Sequence, residues 1–268
     1  MKKNKERCSM DQKRIYRKRR QKRLRRIRNM KIVGIFLILL SVFWVGIRFF
    51  SSEQVSAENV SPKEMASYPQ WLQEMVERNP ETGAFAKSYK DRENYIGRTI
   101  DLSGEYRAGQ VPLFLQWDKR WGYDSYGDEL IGVAGCGPTC LSMAYVHLTG
   151  DTTKNPRVMA EFSYENGYYA PEGTSWSLWT EGAAKLGLNS AEVPLEESSM
   201  KNRLDEGQVI VCSMAPGDFT TTGHFILIYG YNATGFQVND PNRKSNSEKI
   251  WSFERLQGQI KCLWALSI

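Results

Sequence analysis

Cys136 is the residue of this sequence whose surroundings most favour nucleophilic chemistry. It lies in the stretch GVAGCGPTCLSMAY, residues 132–145, where Gly135 and Gly137 flank the thiol and Pro138 opens an apolar helical pattern. The amino end of a helix supplies partial positive charge and free N–H groups, which favour a thiolate. The two glycines would let a substrate backbone approach the sulfur. The alternative is a small buried thiol or one half of a disulfide.

A thiol nucleophile needs a base, and the sequence contains only two histidines, His147 and His224. His147 follows Cys136 on the same predicted helix and would lie about 16 Å away at the rise of an α-helix, which is too far. His224 begins the apolar run GHFILIYGY. We therefore interpret His224 as the base, with a structural histidine at a strand end as the alternative.

Asp240 and Gln116 are the candidates for two supporting roles. Asp240 ends the run GFQVND, which a turn at residues 232–235 would pair with the strand of His224. That pairing would bring the carboxylate beside the imidazole, although Asn-Asp-Pro-Asn is also a plain turn sequence. Gln116 closes an extended run before Cys136, and its amide is a suitable oxyanion donor together with the backbone N–H of Cys136. Taken alone, Gln116 is uninformative.

The other cysteines do not mark a disulfide scaffold: Cys212 and Cys262 are expected to be buried free thiols, although an oxidising exterior would permit bridges among the four cysteines after the hydrophobic stretch at residues 31–50. Cys136 and Cys140 are four residues apart on one helix, where a disulfide is strained. Cys212 and Cys262 lie in the apolar runs QVIVCSM and IKCLWALSI, and Cys8 lies in the basic N-terminal segment. The cysteines and histidines lack the paired spacings of a zinc site, so we expect no metal and no cofactor.

The elements that would position these residues come in the order helices first, strands afterwards. Helical periodicity covers residues 68–80, 138–150, 175–188 and 196–206. Four β-branched and aromatic runs then follow: QVIVCSM, GHFILIYGYN, GFQVND and CLWALSI. VPLFLQW, residues 111–117, is a strand or an extended run. This order predicts an α+β fold with an antiparallel sheet of four or more strands.

The net charge of +6 conceals a sharp division along the chain. Residues 1–31 contain 16 Lys and Arg and two acidic residues, whereas residues 51–268 contain 19 basic and 28 acidic residues. Phosphate binding needs clustered Lys and Arg, so the acidic part is not expected to bind nucleic acid. The basic segment is an alternative nucleic-acid arm, but the hydrophobic stretch that follows it directly favours a cytoplasmic tail.

The hydrophobic stretch KIVGIFLILLSVFWVGIRFF, residues 31–50, has the length of a membrane-spanning helix. Lys and Arg before a span remain on the cytoplasmic side, so we expect a single-pass protein with its N-terminus inside and the remainder outside. The alternative is a signal peptide cleaved near Ala57, after the small residues Val-Ser-Ala, which would release a secreted protein. The expected organisation is a basic tail at 1–31, a transmembrane helix at 32–50, a stalk and helical lead-in at 51–109, and the main domain at 110–268.

The stretches QWDKRWGYDSYG, AGCGPTCLSMA, GHFILIYGY and VNDP, in this order, resemble extracellular family-39-like cysteine peptidases. These are papain-like relatives of the enzymes that trim double-glycine leaders from bacteriocin precursors. The resemblance covers about residues 65–268 and implies a papain-like fold in which N-terminal helices pack on an antiparallel sheet. The leader-trimming relatives usually belong to transporters with an ATP-binding domain, whereas this sequence contains no P-loop motif.

The resemblance implies Cys136 as nucleophile, His224 as base, Asp240 as orienting acid and Gln116 as oxyanion donor. It therefore implies hydrolysis of a peptide or protein substrate outside the cell. Two alternatives are a peptidoglycan amidase or endopeptidase of the same chemistry, and a non-catalytic peptide-binding module. The stretch GTSWSLW also resembles the family, and Trp176 or Tyr169 would line a substrate groove or belong to an aromatic core.

Overall fold

The structure is a computed structural model that describes residues 60–171 and 173–268. The expected basic tail, the expected membrane span and the stalk up to residue 59 lie outside the described residues. Among the helices of the described residues, none is both long and apolar enough to cross a membrane. The fold of the described residues is α+β with antiparallel sheets, as the order of helical and strand patterns predicts.

Ten α-helices and three 3₁₀ helices occur in the described residues. The α-helices are α1 Pro62–Met65, α2 Gln70–Arg78, α3 Gly83–Ser88, α4 Ile131–Ala134, α5 Cys136–Thr149, α6 Pro156–Glu165, α7 Glu181–Lys185, α8 Glu197–Asp205, α9 Lys244–Ser247 and α10 Phe253–Gln257. The 3₁₀ helices are Pro80–Thr82, Tyr89–Asn94 and Trp176–Trp179. The longest, α5, begins at Cys136 and ends before Gly150, whose φ of 74° is the left-handed conformation that glycine adopts at little cost.

The strands form one six-stranded sheet and two small hairpins. In chain order they are β1 Ser125–Tyr126, β2 Glu129–Leu130, β3 Tyr169–Ala170, β4 Gly173–Thr174, β5 Asn189–Glu192, β6 Val209–Met214, β7 His224–Asn232, β8 Gly235–Asn239, β9 Ile250–Trp251 and β10 Ile260–Ser267. The order in the large sheet is β5-β10-β6-β7-β8-β9, and every pair in it is antiparallel. All six residues of the central strand β6 are buried.

Helices cover both faces of the large sheet. Alternate residues of β7 separate into two apolar clusters: Phe225 and Leu227 pack with α5 and α6, whereas Ile226 and Ile228 pack with Met200 of α8 and with α10. This period of two is the expected consequence of strand geometry. Because β6 and β7 carry apolar residues on both faces, their sequences are continuous apolar runs.

The helical lead-in is packed onto the main domain through aromatic side chains. Leu72 of α2 and Phe85 of α3 are buried together with Tyr123, which follows the stretch VPLFLQW of the main domain. The rings of Phe85 and Tyr123 are stacked, with centroids 4.2 Å apart. Helical spacing over residues 68–80 therefore correctly predicted an amphipathic helix, whose buried residue is Leu72.

The structure differs from the sequence-based expectations in several details, among them the helix α6 and the hairpins β1–β2 and β3–β4, which were not predicted. The single helix expected over residues 175–188 is divided at Thr180 into a 3₁₀ helix and α7, although Ser175 caps the first of them as predicted. VPLFLQW joins no sheet, and its last two residues lie in a turn. Strands β5 and β9 were not predicted, because β5 is a polar edge strand and β9 has only two residues.

Candidate active site

Cys136 is the first residue of α5 and is half-buried, with a free thiol. The short helix α4 ends just before it, and Gly135 joins the two helices. A Cβ on Gly135 would lie 2.5 Å from the carbonyl oxygen of Ile131, and a Cβ on Gly137 would overlap the side chain of Thr174. Close packing beside Cys136 therefore requires glycine at both positions. This is a second reason for the two glycines, besides the access of a substrate to the sulfur that the sequence predicts.

His224 and Asp240 come together across the β7–β8 hairpin. The register pairs Asn232 with Gly235 at the turn and Leu227 with Asn239 at the other end. His224 begins β7 and Asp240 directly follows β8, so both lie at the same end of this antiparallel pair of strands. The imidazole Nε2–H donates to Oδ1 of Asp240 at 2.8 Å.

The side chain of Cys136 lies close enough to the His224 ring to raise the pKa of the imidazole. Because Nε2 is bonded to Asp240, Nδ1 is the nitrogen that remains for the sulfur. Both His224 and Asp240 are buried, with 7% and 0% of their surface exposed. A thiol, an imidazole and a carboxylate thus form one chain of contacts, with only the thiol half-open to solvent.

The charge on Asp240 controls the protonation of His224. Burial by itself would lower the pKa of His224, but the Asp240 carboxylate and then the Cys136 sulfur raise the pKa to about 10. An opposite charge at hydrogen-bond distance in a buried place outweighs the loss of water. The imidazolium form is therefore favoured at neutral pH, which is the form that would pair with a thiolate.

The Asp240 carboxylate is fully satisfied by hydrogen-bond donors. Oδ1 accepts from the backbone N–H groups of Asn242 at 2.8 Å and Arg243 at 3.2 Å, besides His224. Oδ2 accepts from the Asn246 amide at 2.8 Å, and the Asp240 N–H donates to Ser247 Oγ at 2.8 Å. These donors fix the position of the carboxylate beside the His224 ring.

Gln116 links the two halves of the site. Its backbone N–H donates to the carbonyl of Pro241 at 2.7 Å, next to Asp240. Its side-chain amide donates to the carbonyls of Gly132 at 3.0 Å and Val133 at 3.1 Å, in the helix before Cys136. Both amide hydrogens therefore have partners, whereas the buried Oε1 atom has none. A developing oxyanion would have to compete with one of these carbonyls.

The second histidine and the other described cysteines lie away from the Cys136–His224–Asp240 group or are buried. His147 is in the last turn of α5, at the other end from Cys136, and its Nδ1 lies 3.1 Å from the carbonyl of Gln110. Cys140 is buried below Cys136, and burial raises the pKa of its thiol well above the usual value. Cys212 is buried and Cys262 half-buried, and both are free thiols.

The two aromatic candidates for a substrate groove have different surroundings. Trp176 is 47% exposed and packs edge-to-face on Trp264. Tyr169 packs edge-to-face on the buried Tyr126, whose hydroxyl lies 2.9 Å from Thr174 Oγ1. Thr174 in turn contacts Gly137. Tyr169 is thus part of an aromatic packing layer beside the site, while Trp176 has a free face.

Sequence reasoning did not identify Asn246 and Ser247, which bind Asp240 from α9. They lie in the polar stretch RKSNSEK, where neither periodicity nor composition marks them. Only the Asn242 and Arg243 donors had a signal, the sequence Asp-Pro-Asn-Arg, because an aspartate whose side chain accepts from the backbone two and three residues later is common in turns.

Comparison with known proteins gives one family and several solved structures that match at low sequence identity. The model of the Peptidase_C39 like family matches residues 108–265, more than half of the chain. The peptidase domain of Streptococcus ComA, a bi-functional ABC transporter involved in a quorum sensing pathway, is 20% identical, with a TM-score of 0.42 over 59% of this chain and 98% of that domain. A Bacillus anthracis protein described as a C39-like peptidase is 15% identical, with a TM-score of 0.32 over 64% of this chain and 98% of its own. No curated protein matches this chain. The family match confirms the resemblance found in the sequence motifs, and the chain belongs to the Peptidase_C39 like family.

Proposed function

We propose that this protein is a membrane-anchored, papain-like cysteine peptidase that hydrolyses peptide bonds outside the cell. Membership of the Peptidase_C39 like family supports cysteine-peptidase chemistry. The observation that carries the proposal is the chain of contacts from the Cys136 sulfur through the His224 ring to the Asp240 carboxylate. In this arrangement Cys136 is the nucleophile, His224 the general base and acid, and Asp240 the orienting group.

The first step is attack of the Cys136 thiolate on the carbonyl carbon of the scissile peptide bond. The proton from the thiol resides on His224 as an ion pair, which the raised pKa of His224 favours. When the tetrahedral intermediate collapses, the C–N bond breaks and His224 donates its proton to the leaving amine. Water, deprotonated by His224, then attacks the thioester and releases the acid and the free thiol.

The oxyanion of each tetrahedral intermediate needs donors near Cys136. The backbone N–H of a first helical residue has no carbonyl partner within its own helix, so the Cys136 N–H is available by its position in α5. The Gln116 amide is the second donor in this proposal. It approaches from the side of Gly132 and Val133, whose carbonyls hold it in place, and one of these hydrogen bonds is exchanged for the oxyanion.

Asp240 fixes the orientation and the tautomer of His224. With Nε2–H bound to Oδ1, the opposite ring nitrogen faces the sulfur and accepts the thiol proton. The carboxylate itself is held by the Asn242, Arg243 and Asn246 donors. Such support holds the imidazole close to the geometry that proton transfer requires.

The proposed location follows from the N-terminal sequence. The uncharged stretch Ile32–Ile47 lies between 16 basic residues and the acidic remainder of the chain, a pattern typical of a signal anchor with the N-terminus inside. Cleavage near Ala57 would give a secreted form of the same enzyme. Either form would meet its peptide or protein substrate outside the membrane.

The proposal is tested by profiling a peptide library by mass spectrometry with the purified full-length protein in detergent. Wild type is expected to cleave peptides, and Cys136→Ala is expected to leave no cleavage above background. His147→Ala is the matched control, because His147 is the other histidine and lies at the far end of α5. Cleavage by Cys136→Ala, or an equal loss in His147→Ala, would contradict the assignment. Turnover of purified cell wall without peptide cleavage would favour the peptidoglycan enzyme instead.

A further inference from the structure

The loop that follows Asp240 is held from outside by the helical lead-in. Residues 241–243 connect Asp240 to α9, and three residues of the lead-in reach this region: Arg78, Asn79 and Glu81. The matched family region begins only at residue 108. These contacts therefore come from a part of the chain that the family match does not cover.

Glu81 binds the first turn of α9 with both carboxylate oxygens. Oε2 accepts from the backbone N–H of Lys244 at 2.6 Å, and Oε1 accepts from that of Ser245 at 3.1 Å. Charge-assisted hydrogen bonds of this kind are about twice as strong as neutral ones. The neighbouring cations have other partners: the Arg243 guanidinium donates to the carbonyl of Arg78, and the Lys244 ammonium pairs with Glu248.

Asn79 holds the same loop one residue earlier. This side chain is only 3% exposed, and its Nδ2 donates to the carbonyl of Asn242 at 2.6 Å. Its Oδ1 accepts from the backbone N–H of Glu81 at 3.2 Å, so the two lead-in residues brace each other. The indole N–H of Trp117 donates to the same Asn242 carbonyl at 2.7 Å.

A single peptide group connects these contacts with Asp240. The carbonyl of Asn242 and the N–H of Arg243 belong to one planar unit. Its oxygen accepts from Asn79 and Trp117, and its N–H donates to Asp240 Oδ1 at 3.2 Å. The helix that Glu81 caps supplies the Asn246 amide to Oδ2 of Asp240.

We propose that Glu81 and Asn79 are positioning residues of the active site, which orient the Asp240 carboxylate, and through it His224, from the lead-in. This inference rests on the proposed function, because it concerns the same Cys136–His224–Asp240 group. Without Glu81 the first turn of α9, the helix that carries Asn246, loses both side-chain acceptors. Without Asn79 the oxygen of the Asn242–Arg243 peptide group keeps only the Trp117 donor. The expected consequence is a less well oriented imidazole, with the nucleophile itself intact.

The test compares full-length wild type in detergent with Glu81→Ala, Glu81→Gln and the control Glu77→Ala. Glu77 is exposed on α2 and makes no hydrogen bond or ion pair within the described residues. Two quantities are measured against pH: kcat/KM for a peptide substrate, and the rate at which iodoacetamide alkylates Cys136, followed by mass spectrometry of its peptide. Thermal unfolding is measured alongside.

Glu81→Ala is expected to lower kcat/KM by up to about 100-fold, as small misplacements of catalytic groups do. Glu81→Ala is also expected to lower the rate at which iodoacetamide alkylates Cys136 at pH 6, where only an ion-paired thiolate reacts quickly. Glu81→Gln keeps one acceptor oxygen and is expected to be intermediate, and it serves as the test if Glu81→Ala does not fold. In an Asn246→Ala background, the effect of Glu81→Ala on the pH profile should be smaller, because both act on the same carboxylate.

A purely structural role gives a different result. If the Glu81 variants lower the unfolding temperature but keep wild-type pH profiles for both quantities, the positioning role is overturned while the proposed peptidase stands. If wild-type Cys136 reacts as an ordinary thiol and no peptide is cleaved, the proposed function fails and this inference fails with it.

Discussion

Nε2 of His224 lies 2.8 Å from Oδ1 of Asp240, in the interior of the protein, and the same imidazole contacts the sulfur of Cys136. The pair is created by a local element, the β7–β8 hairpin, whose register places the start of one strand beside the residue that follows the other. Cys136 reaches it from a helix that packs on one face of the same sheet. A local hairpin and one long-range packing contact therefore assemble the three groups.

The protonation of His224 is predicted to depend on Asp240. The Asp240 carboxylate is the main group that raises the pKa of His224 to about 10. His224 should therefore titrate at clearly lower pH in the Asp240→Asn variant. Because the chain contains only two histidines, two-dimensional NMR of the imidazole groups resolves both, and His147→Ala identifies the second signal. An unchanged His224 titration in Asp240→Asn would show that the carboxylate does not set the charge of the ring.

The same pair predicts how stability changes with pH. The pKa of His224 is raised from 6.5 to about 10 by folding, so its contribution is fully present below about pH 6.5 and is lost as pH rises towards 10. Urea unfolding of wild type and His224→Gln in detergent should therefore differ more at pH 6 than at pH 10.5. Breaking a buried pair typically costs about 3–5 kcal/mol, and a difference that grows with pH would contradict the raised pKa.

Gln116 is predicted to affect peptide hydrolysis more than alkylation. Hydrolysis forms an oxyanion, whereas alkylation of the thiolate by iodoacetamide does not. Gln116→Ala should lower kcat on the order of 10²- to 10³-fold if its amide stabilises the oxyanion, with a much smaller effect on alkylation. An equal loss in both reactions would mean that Gln116 acts by holding the Gly132 and Val133 carbonyls, which its amide contacts in this structure.

The parts of the fold that could be predicted are those that depend on residue patterns close together in the sequence. The helix from Cys136 to Gly150 and the hairpin from His224 to Asp240 follow from glycine positions, apolar runs and a turn sequence. VPLFLQW has the composition of a strand, yet it pairs with no strand. The Pro112 carbonyl accepts from the Asn239 side chain, the Phe114 N–H contacts the Met143 sulfur, and the Gln116 N–H donates to the Pro241 carbonyl.

The contacts that could not be predicted join distant parts of the sequence. Glu81 and Lys244 are separated by 163 positions, and nothing local to either residue indicates the other. The Gln116 amide likewise has partners that only the packing of α4 determines. Sequence motifs therefore identified the groups suited to the chemistry, whereas the support of Asp240 required coordinates.

The most direct test of the account is the pH dependence of Cys136 alkylation in the full-length protein. With His224 protonated and in contact with the sulfur, wild-type Cys136 should react rapidly with iodoacetamide at pH 6, and His224→Gln should react slowly there and recover only near the ordinary thiol range of about pH 8.5. Equal, slow reaction of both proteins at pH 6 would contradict a thiolate–imidazolium pair at this site.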